Sequence, residues 1–217
     1  MRNITFLSIL WLAFSNFALA QQQIAEVAPG IYKLSYGKAD EFTPEKFRNE
    51  KPAIAGLEKL PKAKLPFDIS EISIKVNKRG CQVAVPLGGE EQLYGFGLQV
   101  GSFNQNGMRK MPIVNDYPLH NLGYTHAPLP YYVSNKGYAI LVNTARYVTF
   151  YCGANQPKNL QANHTEKSTT KLSVEELYNT KVSGRNNVLV DLPGAEGIEI
   201  FVFAGPDMMA AIQRYNL

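Results

Sequence analysis

From Ile69 onward, short apolar stretches recur with their hydrophobic residues at every other position, and turn-forming residues stand between them. Ile72, Ile74 and Val76 alternate with Ser73 and Lys75, and after Asn77-Lys78-Arg79-Gly80 the alternation resumes at Cys81, Val83 and Val85. A period of two marks a strand with one buried face, and two such runs around a short turn predict a hairpin. Tyr131–Val133, Tyr138–Val142, Tyr147–Cys152, Val188–Leu192 and Ile198–Phe203 supply further strands. Ser134-Asn135-Lys136-Gly137, Gly184-Arg185-Asn186-Asn187 and Pro193-Gly194 separate them. Residues 24–36 add one or two more, with Pro29-Gly30 as a turn. Many short strands divided by Gly, Asn and Pro predict an all-β fold, an antiparallel β-sandwich.

Two segments depart from this pattern. Residues 37–68 are rich in Lys, Pro and Glu, and Pro44, Pro52, Pro61 and Pro66 forbid a long element, so a surface connection is expected. Thr43-Pro44 suits the start of one short helical turn, with proline at the first helical position. At the other end, Pro206-Asp207 opens a helix in which Met208, Met209, Ile212 and Tyr215 fall at helical spacing.

Residues 1–20 read as a cleaved secretory signal. Arg2 precedes the mostly apolar run Phe6–Phe17, and Ala18-Leu19-Ala20 forms a small-x-small cleavage pattern. The run is short for a bilayer span. A periplasmic or secreted protein is therefore expected, with no membrane contact after cleavage. The net charge of +4 is mild, and no basic stripe interleaved with aromatics occurs, which argues against nucleic acid as a partner. Cys81 and Cys152 leave two readings open. A disulfide would stabilise by roughly 4 kcal/mol through the long loop it closes; alternatively, both are separate core thiols on the apolar side of their strands.

Chemistry-bearing motifs are sparse. Gly95-Phe96-Gly97 lacks the further glycines and following helix of a phosphate loop and reads as a tight turn or bulge. His120, His126 and His164 have no accompanying Cys or Asp cluster, so neither a metal nor another cofactor is expected. Asp40-Glu41 and Glu175-Glu176 read as solvated surface, and no nucleophile elbow or HExxH is present. Asp116 stands apart. It sits in a polar loop between strands, preceded by Asn115 and followed by Tyr117-Pro118, with His120, Asn121 and Tyr124 close by. A carboxylate accepts two hydroxyls at once and an aromatic ring stacks on a pyranose face, so Asp116, Tyr117, His120 and Tyr124 are candidate sugar-binding residues. The alternative for Asp116 is an Asx-turn residue that satisfies its own loop.

These residues resemble the amino-terminal domain of glycoside hydrolase family 31, the α-glucosidase and α-xylosidase family. Glu91-Gln92-Leu93-Tyr94-Gly95-Phe96-Gly97 resembles its strand-turn signature, and Val114-Asn115-Asp116 the segment that reaches toward the sugar. Pro128-Leu129-Pro130-Tyr131-Tyr132-Val133-Ser134 with Gly137-Tyr138 resembles the strands that follow. Phe201-Val202-Phe203-Ala204-Gly205-Pro206, then Ile212-Gln213-Arg214-Tyr215, is similar to the strand and helix leading into the catalytic barrel. Leu98-Gln99 stands where the family often carries a Glu directly after the turn.

The resemblance implies a galactose-mutarotase-like super-sandwich at 21–205 and a helix at 206–217 leading toward a (β/α)8 barrel that this chain does not contain. Family members hydrolyse α-linked sugars with retention, using two aspartates of the barrel. Neither can be carried over, because no Trp-x-Asp-Met-Asn-like motif occurs, so no catalytic residue is expected here. The implied partners are the protein's own barrel and an α-linked oligosaccharide. A stand-alone carbohydrate-binding sandwich without catalysis, or a purely structural exported β domain, are the other readings.

Overall fold

The computed structural model of the 217-residue protein describes residues 22–47, 51–115, 122–154 and 186–217. In chain order its strands are β1 (Gln23–Ala28), β2 (Ile31–Gly37), β3 (Ser73–Asn77), β4 (Gly80–Pro86), β5 (Leu93–Gly95), β6 (Arg109–Lys110), β7 (Ile113–Val114), β8 (Tyr124–Thr125), β9 (Tyr131–Ser134), β10 (Tyr138–Val142), β11 (Thr149–Cys152), β12 (Asn187–Pro193) and β13 (Gly197–Ala204). The helices are α1 (Pro44–Phe47), α2 (Ile54–Leu57) and α3 (Met208–Asn216).

Two antiparallel sheets face each other. One has the order β1-β2-β13-β10-β9-β5 and the other β3-β4-β12-β11-β6. Alternate residues fill the space between them: Leu34, Tyr138, Ile140, Ile198, Ile200 and Val202 from the first, Cys81, Val83, Phe150, Cys152, Val188 and Val190 from the second. The all-β sandwich expected from the period-two pattern is the fold of the described residues.

The six-stranded sheet is buried on its second face as well. Ile31, Tyr131, Val133, Ala139, Leu141 and Phe203 form a separate apolar layer, covered by Leu57 and by Ala211, Ile212 and Tyr215 of α3. Double burial explains why Tyr138–Val142 is apolar at every position instead of alternating. The helix therefore packs back on β13, β10 and β9. Asp207 caps it, its side chain accepting from the Ala210 amide at 2.8 Å. The buried stripe is Ala210, Ala211 and Arg214, whereas Met209, which the spacing placed on the packed face, is 58% exposed.

The expected helical turn at Pro44 is present, and the supposed surface connection also buries Leu57 completely. The two cysteines are separate core thiols. Cys81 pairs with Leu192 and Cys152 with Val188, so β12 lies between them and they sit four residues apart along it. That geometry separates them by roughly 16 Å, from two strand spacings and the rise per residue, far beyond the reach of a disulfide. Burial pushes the Cys81 thiol up to about 12 and raises that of Cys152 as well, so both are inert protonated groups.

Arg214 is the pin of the third layer. It is 2% exposed, and its Nε and Nη2 donate to the carbonyls of Pro29 and Pro61 at 3.3 and 2.6 Å. Removing a buried, charged donor that bonds two carbonyls costs about 2–4 kcal/mol. Arg214→Ala should therefore lower the urea midpoint at unchanged slope, and Arg214→Lys should recover little, because one ammonium lacks the fork that spans both carbonyls.

Candidate functional site

Strand register brings most long connections to one end of the sandwich. Gly37, the last residue of β2, pairs with Gly197, the first of β13. Val142 at the end of β10 pairs with Ile200, and Leu141 with Tyr131 at the start of β9. Gly95 at the end of β5 pairs with Tyr132, and Lys110 at the end of β6 with Phe150. Residues 38–42, 96–104, 111–115, 122–130, 143–148 and 194–196 therefore all leave the sheets at the same rim.

The rim is organised around the Gly95-Phe96-Gly97 turn, which is a structural turn and not a phosphate loop. All three residues have positive φ, with Phe96 at 65°. Its ring is fully buried and meets Tyr132 of one sheet and Phe150 of the other, at 5.8 and 4.9 Å between centroids. The Phe96 amide donates to the Tyr131 carbonyl at 2.7 Å. Gln99, which stands near the position of the family's frequent Glu, donates to the Phe96 carbonyl at 3.0 Å and accepts from Lys110 at 3.3 Å. Lys110 is fully buried, and desolvation pushes its ammonium below the ordinary lysine value. This chain of bonds joins β6 of one sheet to the turn that follows β5 of the other.

From this base a second layer rises. Thr125 donates its hydroxyl to the Leu98 carbonyl at 2.5 Å. β7 and β8 pair in parallel, Ile113 opposite Tyr124 and Val114 opposite Thr125. The Asn115 amide donates to the Thr125 carbonyl at 3.0 Å, and the Met111 amide to the Leu122 carbonyl at 2.6 Å. Both stems of the segment carrying Asp116 are thus fixed to the rim. Asp116, Tyr117 and His120 themselves lie outside the described residues. Tyr124 is half-buried in β8, at the foot of one stem. Large apolar side chains on the same rim are open to solvent: Leu98 is 62% exposed, Val100 68%, Phe103 82% and Val114 68%. Among the described residues no cluster of three or more His, Cys, Asp or Glu could hold a metal, and no helix is long and apolar enough to cross a membrane.

A feature the sequence did not announce occupies the other side of the rim. Lys38–Phe42, Ala145, Arg146, Gly194 and Glu196 line a cavity of about 470 Å³. Asp40, expected as a solvated acid, accepts from Arg146 Nε and Nη2 at 2.8 Å each. The two are 106 residues apart in the chain, so no local pattern signals the pair.

Gly97 tests whether the turn is required. At φ +88° a Cβ there would meet the Ala127 carbonyl oxygen at 2.0 Å, a backbone atom with no freedom to yield. Gly97→Ala should destabilise by about 2 kcal/mol or more, from strain plus displacement of the backbone at Ala127–Pro128, read as a lowered denaturation midpoint. An unchanged midpoint would remove the turn as the anchor of the rim.

No protein-family model and no curated protein matches this chain. Solved structures do. A glycoside hydrolase family 31 dextranase from Flavobacterium johnsoniae, complexed with glucose, matches at 13% identity with a TM-score of 0.54, over 90% of this chain and 25% of that one. A variant of that enzyme complexed with isomaltotriose matches over the same shares at 13% identity and a TM-score of 0.51. A cycloalternan-forming enzyme from Listeria monocytogenes, in complex with a pentasaccharide substrate, follows at 12% identity and 0.48, over 86% and 18% of the respective chains. The chain spans about a quarter of the dextranase's length. The chain thus shares its fold with about a quarter of a family 31 dextranase, in agreement with the resemblance read from residues 91–153 and 198–217.

Proposed function

We propose that this chain is the amino-terminal β-sandwich of an exported, retaining α-glycosidase of the family 31 kind. It would pack against a downstream catalytic barrel and lend the loop around Asp116 to the sugar site. The observation that carries the reading is the fold match to about a quarter of a dextranase. The rim supports it physically. Two short parallel strands flank the Asp116 segment, and the rim also carries the exposed apolar side chains Leu98, Val100, Phe103 and Val114, which suit a partner domain.

In this reading the sandwich carries no bond-breaking group. The two carboxylates that attack the anomeric carbon and protonate the leaving oxygen belong to the barrel. Asp116 accepts hydroxyls of the sugar beyond the scissile bond, and Tyr117, His120 and Tyr124 border it. Such a residue contributes by positioning substrate, because bonds that hold a sugar in its reactive geometry lower the barrier without joining the chemistry.

The test is the protein with its downstream sequence included, assayed on aryl α-glycosides and α-linked oligosaccharides. Hydrolysis with retention is the expected outcome; a full-length protein inactive on glucosides, xylosides and galactosides would sink the reading. In the active protein, Asp116→Ala should lower kcat/KM by about 10- to 100-fold, the loss of one or two charge-assisted hydrogen bonds. Unchanged kinetics would take Asp116 out of the site. A stand-alone binding sandwich instead predicts sugar binding by this chain alone.

A further inference from the structure

We infer that the cavity between Asp40, Arg146 and Glu196 is a second saccharide-binding site, on the same rim as the Asp116 loop but separate from it. The glycosidase reading adds weight to the choice of a sugar; the geometry of the cavity is independent of that reading.

Three separate loops form its walls, and cross-links hold them. The Lys38 amide donates to the Glu196 carbonyl at 3.2 Å, tying the end of β2 to the approach to β13. The Arg146–Asp40 fork ties the connection after β10 to the same wall. Lys46 donates to the Asp40 carbonyl at 2.7 Å, and the Gly194 amide to the Arg79 carbonyl at 2.8 Å. The hollow is open to solvent, its walls are anchored, and its volume of about 470 Å³ falls in the size range of small-molecule sites.

An aromatic platform stands at its edge. Phe42 lines the cavity and is 65% exposed, and its ring stacks on Phe47, centroids 6.0 Å apart and planes 16° from parallel. The platform is fixed from below. Asn143, which is buried, donates to Glu45 and Glu199 at 3.2 and 3.1 Å and accepts from the Glu45 amide at 3.2 Å. Lys33 bridges the same two carboxylates at 3.2 and 3.0 Å. This network holds α1, and with it Phe47, against the sheet. Solvent-exposed stacked rings on an immobilised turn do not serve the core of the described residues, since both are largely open to water.

The charges select the ligand class. Lys38 and Arg146 stand against Asp40, Glu41 and Glu196, so opposite signs nearly cancel. An anion meets an excess of carboxylate, and Asp40 already holds the Arg146 fork. A divalent cation finds no cluster of carboxylates among the described residues able to ligate it. What remains is a neutral ligand with many hydroxyls and an apolar face. The hydroxyls pair with carboxylates and ammonium, and the face lies on Phe42. In the six-stranded sheet, β2 and β5 are four strand spacings apart, roughly 19 Å. An oligosaccharide of a few units can therefore extend from this cavity toward the Asp116 side of the rim.

The experiment is a titration of the full chain with isomaltotriose and maltotriose, followed by backbone amide NMR. Saturable shifts centred on residues 38–42, 145–147 and 194–196 are expected, with a dissociation constant in the millimolar range typical of a single exposed platform. Phe42→Ala should weaken binding about fivefold or more, the loss of one stacking contact, and Glu41→Gln should weaken it less. Both altered cavity residues are exposed, so folding is not at risk. The absence of saturable shifts with either sugar, or binding indifferent to Phe42→Ala, overturns the site. A full-length protein that lacks glycosidase activity yet binds sugar here would defeat the function proposed above and leave this site standing; an active enzyme without these shifts would do the reverse.

Discussion

The rim of this sandwich depends on the burial of one phenylalanine in an unfavourable backbone conformation. A left-handed conformation costs a bulky residue about 1–2 kcal/mol, and Phe96 adopts it at φ 65°. Burying its ring is worth about 1.5–3 kcal/mol, and the ring contacts to Tyr132 and Phe150 add roughly 0.5–1.5 kcal/mol each. Burial wins, and the conformation persists. The consequence is directional. A turn with three successive positive φ values sends the chain off the end of β5 and across the sheets, and the later loops are bonded to it through Gln99, Lys110 and Thr125.

The second constraint is the double burial of the six-stranded sheet. The five-stranded sheet covers one face and α3 with Leu57 the other, so β9 and β10 carry no solvent-facing side and cannot slip in register without exposing a core. Arg214 makes this layer specific. Apolar contacts alone would let α3 slide along the sheet. A guanidinium with two fixed carbonyl acceptors, 153 and 185 residues away in sequence, admits one position. Because β9, β10 and β13 are held rigidly, the loops at their ends are presented from a fixed base.

Much of this was legible in the residues. Alternation at Cys81, Val83 and Val85 and the turn at Asn77–Gly80 give the β3–β4 hairpin directly, since strand period and turn chemistry are local properties. Asp207 as a cap is equally local. What stayed hidden is what depends on distant partners. Met208, Met209, Ile212 and Tyr215 share a helical spacing, and Met208, Ile212 and Tyr215 do pack on the sheet, but the fully buried stripe is Ala210, Ala211 and Arg214, and Met209 turns to solvent. Leu57 is buried inside a segment whose prolines and lysines read as surface. Asp40 looked solvated because its partner lies 106 residues downstream. Of the four residues expected from the sequence to bind sugar, Tyr124 is placed at the stem of its loop, while Asp116, Tyr117 and His120 fall outside the described residues.

The position of the Asp40–Arg146 cavity bears on how such a rim works. An exposed ion pair of this kind contributes at most about 1 kcal/mol to stability, so the fork matters less for holding the fold than for fixing where its loops stand. Its two halves belong to the connections after β2 and after β10, strands that are not neighbours but flank β13. The cavity can exist only once those three strands have assembled, and any shift of β13 would open it. The Asp116 stems depend in the same way on β9, the next strand across, and on the turn at Phe96. Both sides of the rim are thus referred to one rigid sheet. A sandwich with two faces of core behind its loops is able to hold both sides of its rim at a constant separation, which a pair of flexible loops cannot do.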